Sequence, residues 1–145
     1  MERTDAPGHG WTRMMELSRV LVPTIEVRSV PNTPGVYVWF RFGAPVYAGK
    51  ASGAGGLRER IGKHLEVGRD LSRSSLRRNV AERLLNVPTS VSRQRPSVMT
   101  SEQIATINEW IRGLELAWVE FPTPADAVAF ERELLREWMP PLGKR

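Results

Sequence analysis

The chain has 145 residues, 41% of them hydrophobic, with no cysteine, two histidines and a formal net charge of +5. That is apolar material for one self-sufficient domain. It excludes disulfides, and His9 and His64 alone cannot complete a structural zinc site.

No apolar run approaches the roughly 20 residues of a membrane helix, so no membrane association is expected. A cysteine-free chain is compatible with a reducing, cytoplasmic setting. The charge is uneven. Residues 1–100 carry 16 Lys and Arg against 8 Asp and Glu, a net +8, whereas residues 101–145 carry 5 against 8, a net −3. A basic N-terminal two-thirds favours a polyanionic partner, although an ordinary basic surface has the same composition.

The first dozen residues are polar and hold Pro7, Gly8 and Gly10, a tail rather than a signal peptide. Trp11 to Leu21 reads as a helix, so residues 1–30 form a tail plus a helix ahead of a domain spanning 31–145. Gly35-Val36-Tyr37 and Tyr47-Ala48-Gly49 then flank an aromatic and β-branched run interrupted by Gly43 and Pro45, the pattern of a hairpin. Alternation puts Tyr37 and Trp39 on one face, and pairing brings Tyr37 near Tyr47. Two phenols together can hydrogen-bond a phosphate and an attacking water. They can equally be amphipathic core aromatics.

After Gly53-Ala54-Gly55-Gly56, Leu57, Ile61 and Leu65 make a helical stripe. Arg60 and His64, four apart, stack on its edge, while Arg58 and Lys63 point elsewhere. A guanidinium at a core rim suits phosphate oxygens, yet a solvated helix arginine and an ordinary histidine fit the same positions. Asp70 to Asn79 reads as a capped helix start carrying Arg73, Arg77 and Arg78. With Lys50, Arg58, Lys63 and Arg69 these are candidate nucleic-acid-binding residues, adding affinity rather than sequence choice.

Ser92 to Pro96 reads as a basic loop, Glu102–Arg112 as a helix with Ile104, Ile107 and Ile111 inward, and Leu114–Phe121 as the third strand. Trp110 and Trp118 belong to the core in this reading. Thr123 caps the last helix, with Pro124 in its first turn and Asp126 three residues after the cap. Pro140-Pro141 stops it near Met139. Ala127, Val128, Phe130, Leu134, Leu135, Trp138 and Met139 share a broad apolar face, and Glu131 falls in its middle. A carboxylate facing inward is costly unless it is paired or binds a metal. A salt bridge to one of the many arginines is the plain alternative.

In order and spacing, Gly35-Val36-Tyr37, Tyr47-Ala48-Gly49-Lys50-Ala51, Leu57-Arg58-Glu59-Arg60, His64 and Glu131 followed by Pro140-Pro141 resemble the GIY-YIG nuclease superfamily. The first two motifs are similar to the N-terminal nuclease half of the bacterial excision-repair endonuclease. The resemblance spans Pro34 to Leu142. It implies an α+β fold, a small three-stranded antiparallel sheet flanked by helices, and a metal-dependent endonuclease cutting DNA phosphodiester bonds.

By that resemblance Tyr37 orients the scissile phosphate and Tyr47 positions the attacking water. Arg60 stabilises phosphoryl charge, His64 assists proton transfer, and Glu131 ligates Mg²⁺, with Mn²⁺ as a substitute. Ala48 replaces a larger apolar residue, and Gly143 stands where many members carry an asparagine. RNA as substrate, a catalytically inactive nucleic-acid-binding module of the same fold, and specificity supplied by a homodimer or a partner protein all remain open at this level.

Overall fold

A computed structural model describes residues 9–143. Its centre is a hairpin, β2 (Gly35–Arg41) and β3 (Ala44–Ala51), joined to β4 (Glu115–Glu120) and a two-residue strand β1 (Val20–Leu21). The sheet is antiparallel in the order β1-β4-β2-β3, which leaves β3 as an edge. Four strands therefore replace the expected three. Val20 and Leu21 pair with Leu116 and Glu115, and a two-residue strand is too short to leave a periodicity in sequence.

The helix expected over Trp11 to Leu21 is also corrected. Helix α1 covers His9–Met15 only, and the chain then turns into β1. Trp11 is completely buried, its indole N–H donating to the carbonyls of Leu134 (2.9 Å) and Trp138 (3.1 Å). The first eight residues of the expected tail lie outside the described residues.

Alternation along β2 divides the core. Tyr37 and Trp39 face Tyr47, Leu57 and Ile61, where α2 (Gly56–His64), α3 (Ser75–Leu85) and α5 (Ser101–Arg112) gather. Val36, Val38 and Phe40 face Ala48, Ala127 and Leu134 beneath α1 and α6 (Pro124–Glu137). Burying both faces explains why β2 reads as a continuous apolar run. A one-turn helix α4 (Thr89–Ser92) follows α3.

Capping sets the helix starts. Thr123 accepts from the Asp126 amide (3.1 Å), and Thr100 and Gln103 form a reciprocal capping box. Helix α2 has no side-chain cap. The carbonyls of Thr33 and Pro31 accept the Leu57 and Arg58 amides instead, both at 2.9 Å. Gly56, at φ +62°, allows the loop to come this close: a Cβ there would collide with the Asn32 and Thr33 carbonyls. Among the described residues no helix is long and apolar enough to cross a membrane.

Candidate active site

In the hairpin register Trp39 pairs with Tyr47 and Tyr37 with Gly49. Tyr37 and Tyr47 are thus diagonal neighbours on one face. Gly49 decides what Tyr37 can do. A Cβ at Gly49 would overlap the Tyr37 phenol, so the missing side chain leaves room for this buried ring to lie over the edge strand. The ring borders a cleft of about 360 Å³ lined also by Tyr47, Lys50, Arg60, Arg78 and Glu131. Four separate elements (β2, β3, α2 and α6) deliver the proposed catalytic side chains to one place.

His64 does not line the cleft. It is fully buried behind Tyr37, with Nε2 2.7 Å from the Tyr37 oxygen and Nδ1 2.7 Å from the Ser74 hydroxyl. Burial, and after it the charges of Arg60, Arg78 and Lys63, push its pKa down to about 3, so the ring is neutral at physiological pH. Ser74 also caps α3 by accepting the Arg77 amide at 3.0 Å. Tyr47 hydrogen-bonds Ser75, the first residue of the same helix. Both serines belong to the capped, phosphate-facing helix start expected from the sequence, but nothing local to them signals that they support His64 and Tyr47.

Burial raises the pKa of both phenols. At Tyr37 the neighbouring Tyr47 adds to the rise and Arg60 opposes it; at Tyr47 the Ser75 hydrogen bond and Arg60 oppose it. Both are therefore protonated in the resting protein.

Glu131 lies between buried Ala127 and Leu134 on α6, with its own side chain 16% exposed. Burial raises its pKa although Lys50 Nζ stands 3.9 Å away. Lys50 and, after it, Arg132 oppose that rise without overcoming it, and a carboxylate whose ionisation is disfavoured in this way is a suitable anchor for a further cation. Among the described residues no cluster of three or more His, Asp or Glu side chains forms a metal cage. A single carboxylate facing an open cleft suits a divalent cation that keeps most of its own water.

The predicted nucleic-acid-binding residues separate. Lys50 and Arg78 line the cleft, and Lys63 joins Lys50 and Arg60 in an adjoining depression. Arg58 donates to the Val30 carbonyl (2.8 Å), Arg69 to the Met99 carbonyl (2.7 Å), and Arg73 pairs with Glu66 (2.7 Å). Arg77 is a correction. It is completely buried, donating to the Gly68 carbonyl (2.7 Å) and Asn108 Oδ1 (2.9 Å), so it ties the chain together and cannot touch a phosphate.

The C-terminal segment beside Gly143 is held by two hydrogen bonds at Leu142. Asn79 donates to the Leu142 carbonyl at 2.8 Å, and the Leu142 amide donates to the Val46 carbonyl at 2.9 Å. Val46 sits at the register shift of the hairpin. A β-carbon at position 143 would collide with the Met139 sulfur.

Residues 44–145 match the family model of the GIY-YIG catalytic domain, more than half of the chain. The chain belongs to the GIY-YIG family. No curated protein and no solved structure matches it significantly. The family match begins at Ala44 and does not include Gly35-Val36-Tyr37, which strand pairing sets beside it, Tyr37 lying directly opposite Gly49. Family membership points to a nuclease, with nucleic acid as its substrate and a divalent metal in general use.

Proposed function

We propose that this protein is an endonuclease that hydrolyses DNA phosphodiester bonds with one divalent cation, Mg²⁺ or Mn²⁺, held by Glu131. The observation that carries this reading is the convergence of Tyr37, Tyr47, Arg60 and Glu131 on one cleft. A protein that only binds nucleic acid has no use for a half-buried carboxylate among cations. When bound, the metal supplies Lewis-acid polarisation of a phosphoryl oxygen and neutralises developing charge.

The protein's own groups do the rest. Arg60 presents a planar fork of donors to the phosphoryl oxygens. Tyr47, steadied by Ser75, positions the water whose oxygen attacks phosphorus as the bond to the departing oxygen breaks. Tyr37 orients the scissile phosphate, and His64 sets the direction of its hydroxyl.

That direction follows from hydrogen-bond accounting. Ser74 is buried and accepts the Arg77 amide, so its own proton needs an acceptor, and Nδ1 of His64 is the partner at hand. A buried hydroxyl proton left unpaired costs about 1–3 kcal/mol. Nδ1 therefore accepts, Nε2 carries the proton and donates to the Tyr37 oxygen, and the Tyr37 O–H is turned toward the cleft. In this reading His64 assists by positioning Tyr37 and fixing where its proton points.

Supercoiled plasmid incubated with Mg²⁺, Mn²⁺ or EDTA tests the proposal. Nicking that requires metal and is lost in Glu131→Ala and Arg60→Ala, with DNA binding retained, is the expected result. Salt-sensitive binding without cutting under any metal would leave an inactive binding module, and cutting of RNA alone would change the substrate.

A further inference from the structure

The cleft carries more positive charge than a single phosphodiester requires, and the charge comes from two directions. Arg60 and Lys50 stand with Tyr37 and Glu131, whereas Arg78, Thr89 and Arg93 line the same cleft from α3 and the α4 turn. Thr89 and Arg93 are four apart, and the Arg93 amide donates to the Thr89 carbonyl at 3.1 Å, so their side chains leave the turn on the same side.

Arg78 Nη1 donates to the carbonyls of Leu71 (3.1 Å) and Ser72 (2.5 Å). Those bonds fix its guanidinium and leave further N–H groups for the cleft. Among the described residues no carboxylate pairs with Arg60, Arg78 or Arg93. Burial disfavours the charged form of Arg78; Tyr47 opposes this, and the nearby charges of Arg93 and Arg60 add to it. Lys50, Arg60, Arg78 and Arg93 share the cleft with the single carboxylate of Glu131; this excess of like charge raises the free energy of the empty cleft, and a bound anion relieves it.

We propose that Arg78, Thr89 and Arg93 form a second phosphate subsite, which holds the phosphodiester next to the scissile one on the same strand. The proposal deepens the nuclease reading and rests on it. Arg60 then stabilises the reacting group while the second subsite fixes the register of the strand. Backbone contacts of this kind position a substrate without reading its sequence. The subsite requires an ionised neighbouring phosphate, so a substrate neutralised at that one position should lose the contact and no other.

Short DNA duplexes cut in Mg²⁺, each carrying a single methylphosphonate at a phosphate flanking the cut, provide the test. For the wild type, one flanking substitution should lower kcat/KM about tenfold, the worth of one charge-assisted hydrogen bond. Arg93→Ala should show a similar loss on the unmodified duplex and no further loss on that modified one, because both changes remove the same contact. Arg93 is exposed, so its truncation leaves the fold intact.

Arg95→Ala, on the same segment but outside the cleft lining, should behave as wild type. The subsite is overturned if Arg93→Ala and Thr89→Val match the wild type, or if the Arg93→Ala loss multiplies with that of every methylphosphonate. Should the wild type cut nothing, the nuclease reading fails separately, and DNA binding decides the subsite. A salt slope lowered by about 0.9 in Arg93→Ala but not in Arg95→Ala keeps it, and equal slopes remove it.

Discussion

Replacing His64 with glutamine should flatten the acid dependence of stability. The imidazole is fully buried, and its pKa falls from an ordinary 6.5 to about 3. Between those values the unfolded chain binds a proton that the folded one excludes. Stability from this group is therefore fully present above pH 6.5 and is lost as pH falls toward 3. One such proton changes the unfolding free energy by about 1.4 kcal/mol per pH unit within the window, or about 2 kcal/mol between roughly pH 7 and pH 5.

The glutamine of the variant does not titrate, so the stability of His64→Gln lacks this component. The substitution has its own fixed cost, since the imidazole bridges Tyr37 and Ser74 and packs 6.1 Å from the Trp39 ring and 6.0 Å from Tyr47. Urea unfolding of both proteins across that range gives the difference directly. The gap between wild type and variant should narrow by about 2 kcal/mol from pH 7 to pH 5. Glu131, whose raised pKa favours the fold at lower pH, acts in the opposite direction but is common to both proteins and cancels. A gap that stays constant with pH would refute the buried neutral imidazole, and with it the hydrogen-bond direction assigned to Tyr37.

Gly49→Ala should cost about 1–3 kcal/mol of stability by overpacking and abolish nicking, because the new methyl displaces the Tyr37 phenol; unchanged nicking would separate Tyr37 from the chemistry. Arg77→Met should lower stability by about 3 kcal/mol, since the groups it serves lose their donor, while leaving the salt dependence of DNA binding unchanged. A lower salt slope at unchanged stability would contradict its burial. Asn79→Leu should cost about 1–3 kcal/mol by leaving the Leu142 carbonyl without its donor, and hydrogen exchange at the Leu142 amide should quicken; equal exchange in both proteins would place the anchor elsewhere.

Most of the elements were legible because they are set by near neighbours in the chain. Strand formers around a Gly43 turn specify the hairpin, Thr123 and Pro124 start the last helix, and the stripe of Leu57, Ile61 and Leu65 gives α2. Glu131 stood out for the same reason, as a charge inside an apolar helical face.

What depended on distant parts of the chain was not legible. Strand β1 holds two residues, too few for a pattern, and exists only because β4 offers a free edge. His64 and Arg77 sit where helical periodicity allows exposure; in the folded molecule Tyr37 and Ser74 enclose the first, and the Gly68 carbonyl and Asn108 of α5 take up the second. Asn79 and the Leu142 carbonyl are 63 residues apart, with no local signal to join them. The sequence by itself determined the motifs and the family to which they belong. Tertiary structure decided that Tyr37 lies over Gly49 beside a shared cleft and that His64 stands behind it, because strand register and burial are properties of packed elements and not of any one segment.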